Sequence, residues 1–224
     1  MSLEIIITEI KCVYGTEPET DEVYFSYIIK ADEKVFLGYT GIEYGLGEGI
    51  KRETLSTIFK SKDDETREVS LRLFMWESDN STREIKSIFT PATQRRYIEK
   101  INSGKEFTQE DILKGAPENI DDGRYGKEDA GIPFEELATN ISKQLDRLKN
   151  WYLDTDDCLS LEGREKRFLE YRFLKTETGW QIEGFGINRC QVDFNDDKTF
   201  EIPVGGNVIM PHYSFKLRVL TGGK

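Results

Sequence analysis

An antiparallel β-sandwich interrupted by a mainly helical insertion is the fold class that this 224-residue chain predicts. Three observations predict it. Strand-like alternation fills residues 3–80 and returns after 154, the clearest helical periodicity lies between them, and the later strand-like runs are joined by short turn signals. Strands that flank a helical stretch on both sides make neither flank a complete sandwich. Residues 81–153 therefore read as an insertion within one domain spanning 1–224, with about seven or eight strands in the sandwich.

The N-terminal strands come first. "LEIIITEIKCVYG" alternates in part, "DEVYFSYIIKAD" is dense in Tyr, Phe and Ile, and "EVSLRLFMWE" sets Val69, Leu71, Leu73 and Met75 against Ser70, Arg72 and Phe74. Period two with one apolar face describes a half-buried strand. Between them, "GYTGIEYGLGEGIKRE" carries five glycines and reads as a turn-rich connection. Its "GLGEG" lacks the Lys-Ser/Thr tail of a phosphate loop, so turn glycines account for it.

The insertion opens with "STRE" at Ser81, the pattern of a capping box. Thr90-Pro91 starts a second helix that ends near 102–104, and "TQED" at 108 starts a short third. Residues 115–132 are acidic and glycine-rich and read as loop. From Phe134 onward, Phe134, Leu137, Ile141, Leu145, Leu148 and Tyr152 recur at three- and four-residue spacings and line one helical face, which must pack on something. Strand patterning then resumes, with turns at Thr178-Gly179, "NDDK" and Gly205-Gly206. Trp76, Trp151 and Trp180 all adjoin apolar runs and read as packing residues.

Charge and cysteine content bound the function. A net charge of -11 repels phosphate backbones, which excludes nucleic acid as the expected partner and disfavours anionic membranes. Three widely spaced cysteines, Cys12, Cys158 and Cys190, form no disulfide framework, and a reducing, cytoplasmic setting is expected. His212 is the only histidine, and no Cys-x-x-Cys or His-x-x-x-His spacing supports zinc or a nucleophile–base pair.

What remains are acidic clusters at strand ends: 17–22, "WESDN" at 76–80 and "DTDDCLS" at 154–160. With the insertion set aside, "VSLRLFMWESDN" runs into "DTDDCLSLEG", which resembles the third calcium-loop region of C2 domains. "TDEVYFSYII" is similar to the family's loop-one ligand followed by a strand. The resemblance covers the non-helical two-thirds of the chain and implies a C2-like β-sandwich. It also implies calcium as the cofactor, with Asp21 in loop one, Glu77, Asp79 and Asp157 in loop three, and Asp156 beside them; Glu17 or Glu19 stands at the upstream position. The sequence departs from the family at Glu22, where the family has Pro, at Glu77, where it has Asp, and at Ser160, where it has Gly. The expected function is a non-enzymatic binding module, with calcium at acidic loops and a protein partner engaged through the helical insertion. The alternative is a metal-dependent hydrolase built on the same carboxylates.

Overall fold

The computed structural model describes residues 2–14, 20–61, 65–123, 126–151, 156–160, 168–184, 190–204 and 212–222. Eleven strands and four helices follow in the order β1 (Leu3–Cys12), β2 (Asp21–Ala31), β3 (Lys34–Tyr39), β4 (Glu43–Leu46), β5 (Lys51–Lys60), β6 (Glu68–Glu77), α1 (Thr82–Ile88), α2 (Pro91–Asn102), α3 (Gln109–Leu113), α4 (Phe134–Trp151), β7 (Leu169–Lys175), β8 (Trp180–Gly184), β9 (Cys190–Phe194), β10 (Lys198–Val204) and β11 (Tyr213–Thr221). One antiparallel sheet has the order β10-β11-β1-β5, and the other runs β3-β2-β6-β7-β8-β9 with β4 paired to β2.

The strand count exceeds the expected seven or eight, and the reasons are local. β3 forms because Asp32, at φ 51°, makes a two-residue turn after β2; its carboxylate accepts the N–H groups of Arg67 and Glu68, which offsets the cost of the left-handed backbone. β4 and the first residues of β5 lie in the connection read as turns, residues 38–53. Gly45 (φ 70°) and Gly49 (φ 78°) do bend it, and the chain crosses there from one sheet to the other. β5 is polar and ends its sheet, and two register shifts against β1 blur its alternation.

The sandwich core lies between the sheets. Val23, Phe25, Tyr27 and Ile29 of β2 and Val69, Leu71, Leu73 and Met75 of β6 meet Ile5, Ile7, Phe215, Leu217 and Val219 of the four-stranded sheet. β2 and β6 are not half-buried, however. Their other face carries Tyr24, Ile28, Phe74 and Trp76, which are also buried, under the helices. The fold is thus three layers, sheet on sheet on helices, and a strand buried on both faces reads as a continuous apolar run.

The helices lie between β6 and β7, which are neighbours in the sheet. α4 buries Phe134, Leu137, Ile141, Leu145 and Leu148 in the second core, while Tyr152 falls outside the described residues. Arg72, projecting from β6, lies 4.6 Å from the Phe134 ring centroid and 4.9 Å from that of Phe168, and bonds Glu135 in the first turn of α4 at 2.9 Å. α2 begins at Pro91 with Thr90 as its cap, and α3 has the reciprocal Thr108–Asp111 capping box. Ser81 does precede α1, but its side chain makes no capping bond; the hydroxyl is engaged elsewhere.

Candidate functional site

All five predicted carboxylates reach one end of the larger sheet. Asp21 opens β2, Glu77 closes β6 in register with Val23, and residues 156–160 return beside the end of β6. That return is held by three bonds: Glu77 N–H to the Asp157 carbonyl at 2.9 Å, Leu159 N–H to the Met75 carbonyl at 2.8 Å, and Met75 N–H to Ser160 Oγ at 3.1 Å. Ser160, where the C2 pattern has Gly, therefore ties the segment to β6.

The sheet then divides the acids. Asp21 is 1% exposed on the sandwich side, where it accepts a hydrogen bond from the Tyr213 hydroxyl and lies 4.0 Å from the Cys12 sulfur. Burial, with Asp21 and Glu48 nearby, pushes the Cys12 thiol up to about 11, so it remains a protonated core residue. Glu77 is buried and shares the face of its cross-strand neighbour Val23. Asp79 and Asp157 are exposed.

Asp156 is on the other side, 4% exposed beneath the helical layer. Its Oδ1 accepts the N–H groups of Asp79 (3.0 Å) and Ser81 (2.9 Å) and the Ser81 hydroxyl (3.1 Å). Its Oδ2 accepts the hydroxyls of Tyr24 (2.7 Å) and Thr82 (2.6 Å). Five donors thus converge on one carboxylate, about the four lone-pair sites it offers plus one shared. Charge-assisted bonds of this kind are roughly twice as strong as neutral ones, so Asp156 fastens the turn from β6 into α1 to the returning segment 156–160. Burial and the Asp156 carboxylate together push the Tyr24 phenol well above its ordinary value, which keeps it a donor.

Among the described residues, no group of three or more His, Cys, Asp and Glu side chains is placed to hold a metal ion. Calcium takes six to eight oxygens from converging loops, whereas here Asp21 and Asp156 lie on opposite faces of the sheet and are bonded to tyrosines. Glu17 and Glu19 lie outside the described residues. His212 is exposed, and its carbonyl accepts the N–H groups of Val13 and Tyr14. Cys12 and Cys158 are free thiols.

Sequence reasoning missed the donors around Asp156. The "STRE" pattern at Ser81 reads as a capping box, and Tyr24 stands within a strand-like run dense in Tyr, Phe and Ile. The available signal was a hydroxyl pair beside an acidic turn, which a cap and a buried carboxylate share. No family model and no curated protein matches the chain.

Proposed function

We propose that the chain is a non-catalytic interaction module that presents the outer surface of its helical layer to a protein partner. The observation that carries this reading is where the layer keeps its apolar residues. The periodic face of α4 is buried against the sheet and is not a docking surface. Outward, Ile101 at the end of α2 and Leu113 at the end of α3 remain 45% and 38% exposed. Their helices are joined by Lys100 to Asp111 at 3.1 Å and by Arg96 to the Asp111 carbonyl at 2.7 Å, so both residues sit on a braced surface.

The sandwich beneath is the scaffold, and its C2-like character is part of the proposal, supported by two antiparallel sheets with acidic turns at one end. Calcium at that end has less support, because Asp156 already accepts five donors. The full-length protein and its Ile101→Glu/Leu113→Glu variant, used as paired baits at matched thermal stability, test the reading. A partner retained by the wild type and lost by the variant supports it. Identical captured sets, or divalent-dependent hydrolytic turnover abolished by Asp79→Asn, overturn it, and a calorimetric titration with calcium reports separately on the acidic end.

A further inference from the structure

Lys86 is the one lysine that is fully buried among the described residues. It extends from α1 between two aromatic walls, with its Nζ 5.1 Å from the Tyr24 ring centroid and 5.3 Å from that of Tyr39, and donates to the Ile120 carbonyl. Among the described residues no carboxylate lies within ion-pair distance of it. Two of the three acids whose charge acts on it are otherwise engaged: Asp156 accepts its five donors, and Asp121 accepts the Tyr44 hydroxyl at 2.5 Å. An ammonium taken out of water with one carbonyl and two ring faces for company is poorly compensated.

Ile120 belongs to an exposed segment, 118–123, laid across the start of β4. A Cβ on Gly41 would stand 2.6 Å from the Asp121 carbonyl oxygen, and one on Gly123 would stand 3.0 Å from the Gly41 nitrogen, so the two backbones are in direct contact. The segment is therefore fastened at three places: backbone on backbone at Gly41, Asp121 on Tyr44, and the Ile120 carbonyl on Lys86. The interior is reached through Ile120, by its carbonyl on Lys86 and by its side chain against the second core.

We propose that residues 118–123 form a strap over Lys86, and that the strap loosens when Lys86 takes up a proton. The closed strap excludes water from the amine, which the neutral form tolerates while still donating to Ile120; the open strap returns water to the ammonium. Desolvation holds the Lys86 amine down at about 8, against the pull of Asp121, Asp156 and Asp122, whereas an amine in water sits near 10.5. A depressed value in the closed form means that closure is fully favoured above the solvent value, weakens as pH falls toward 8, and changes little below. From those two values, the closing constant falls about tenfold between pH 9 and pH 7. Neither Tyr24, whose ring faces Lys86, nor Tyr44, bonded to Asp121, produces this dependence. Tyr24 is pushed well above its ordinary value by burial and Asp156, and Tyr44 is raised to about 12 by its bond to Asp121.

The test uses the full chain with 13C-labelled lysine and amide hydrogen exchange. The expected result is one lysine resonance titrating near pH 8 and missing from Lys86→Met, with protection factors at 119–123 rising about tenfold from pH 7 to 9 in the wild type and flat in the variant. Tyr44→Phe, which loosens the strap from outside and leaves the buried lysine in place, is expected to move the Lys86 midpoint upward toward the ordinary lysines. Titration of Lys86 with the other lysines above pH 10 in the wild type overturns the proposal. So does an unchanged midpoint in Tyr44→Phe, or strap protection that ignores pH while Lys86 titrates near 8.

Discussion

The two sheets treat their outer faces differently. The larger sheet covers its own with helices, so Tyr24, Ile28, Phe74 and Trp76 are as buried as the residues between the sheets. The smaller sheet leaves its outer face to solvent and fills it with charges, cross-strand from Lys60 to Glu4 and from Lys216 to Glu9, both at 2.9 Å, and from Arg218 to Asp197 in the turn before β10 at 3.5 Å. The difference is encoded strand by strand. β1 and β11 alternate, whereas β2 and β6 run apolar through both parities. A bare outer face thus needs period two, and a covered one abolishes it.

Four measurements sharpen or break this contrast. Phe74 centres the covered face, stacked near Trp76 and edge-on to Phe89 at 5.0 Å, so Phe74→Ala is expected to cost about 4 kcal/mol in urea unfolding. A loss below about 1 kcal/mol would mean that the helices rest on the sheet without being packed into it. Asp156→Ala removes the common acceptor of Tyr24, Thr82, Ser81 and Asp79, and a loss of roughly 3 kcal/mol is expected from the stranded donors, with Asp156→Asn recovering part of it.

The third is an acid titration. Burial raises Asp111, but the Thr108 N–H, Lys100 and the Thr108 hydroxyl lower it further, to about 2. A depressed carboxylate contributes stability that is present above its unfolded value near 3.8 and lost as pH falls toward 2. The wild type should therefore lose about 1 kcal/mol more than Asp111→Asn between pH 4 and 2. The smallest effect belongs to the bare face: Lys216→Ala, and Leu55→Ala at an 83% exposed position, should each stay within about 0.5 kcal/mol of wild type. A loss above that from Leu55→Ala would show that this face is covered in solution.

The same contrast explains how much was legible. The helices were readable because Pro91, Thr108 and the period of α4 are local signals, and α2, α3 and α4 fall where those signals put them. The β-sandwich was readable from the strand-like runs on both sides of the helices, with β1 and β11 alternating. The second buried face was not, since Phe74 had been set with Ser70 and Arg72 as solvent-facing, and only the arrival of α1 and α4 shows otherwise. β5 was hidden because an edge strand with Lys51, Arg52, Glu53 and Lys60 has little apolar signal to show. At the acidic end, sequence brought Asp21, Glu77, Asp79, Asp156 and Asp157 to one end of the sheet but could not assign faces. A carboxylate waiting for a cation and one filled by a tyrosine, a threonine and a serine look alike until Tyr24, Thr82 and Ser81 are placed around it.

The position of the helices between two hydrogen-bonded neighbours also governs the order of assembly. Leu73 pairs with Leu169 across the whole helical segment, whereas β2 and β3 are joined by two residues. Closing the longer loop carries an entropic cost about 3 kcal/mol greater if the intervening chain is a coil. Condensing that chain into helices first shortens the effective loop, and the bond from Glu77 to Asp157 brings its two ends together at the foot of β6. Folding should therefore run from the β2–β3 hairpin and the helices toward the β6–β7 seam. The seam is then the last joint of the larger sheet to close, and the first through which the chain opens under force or heat.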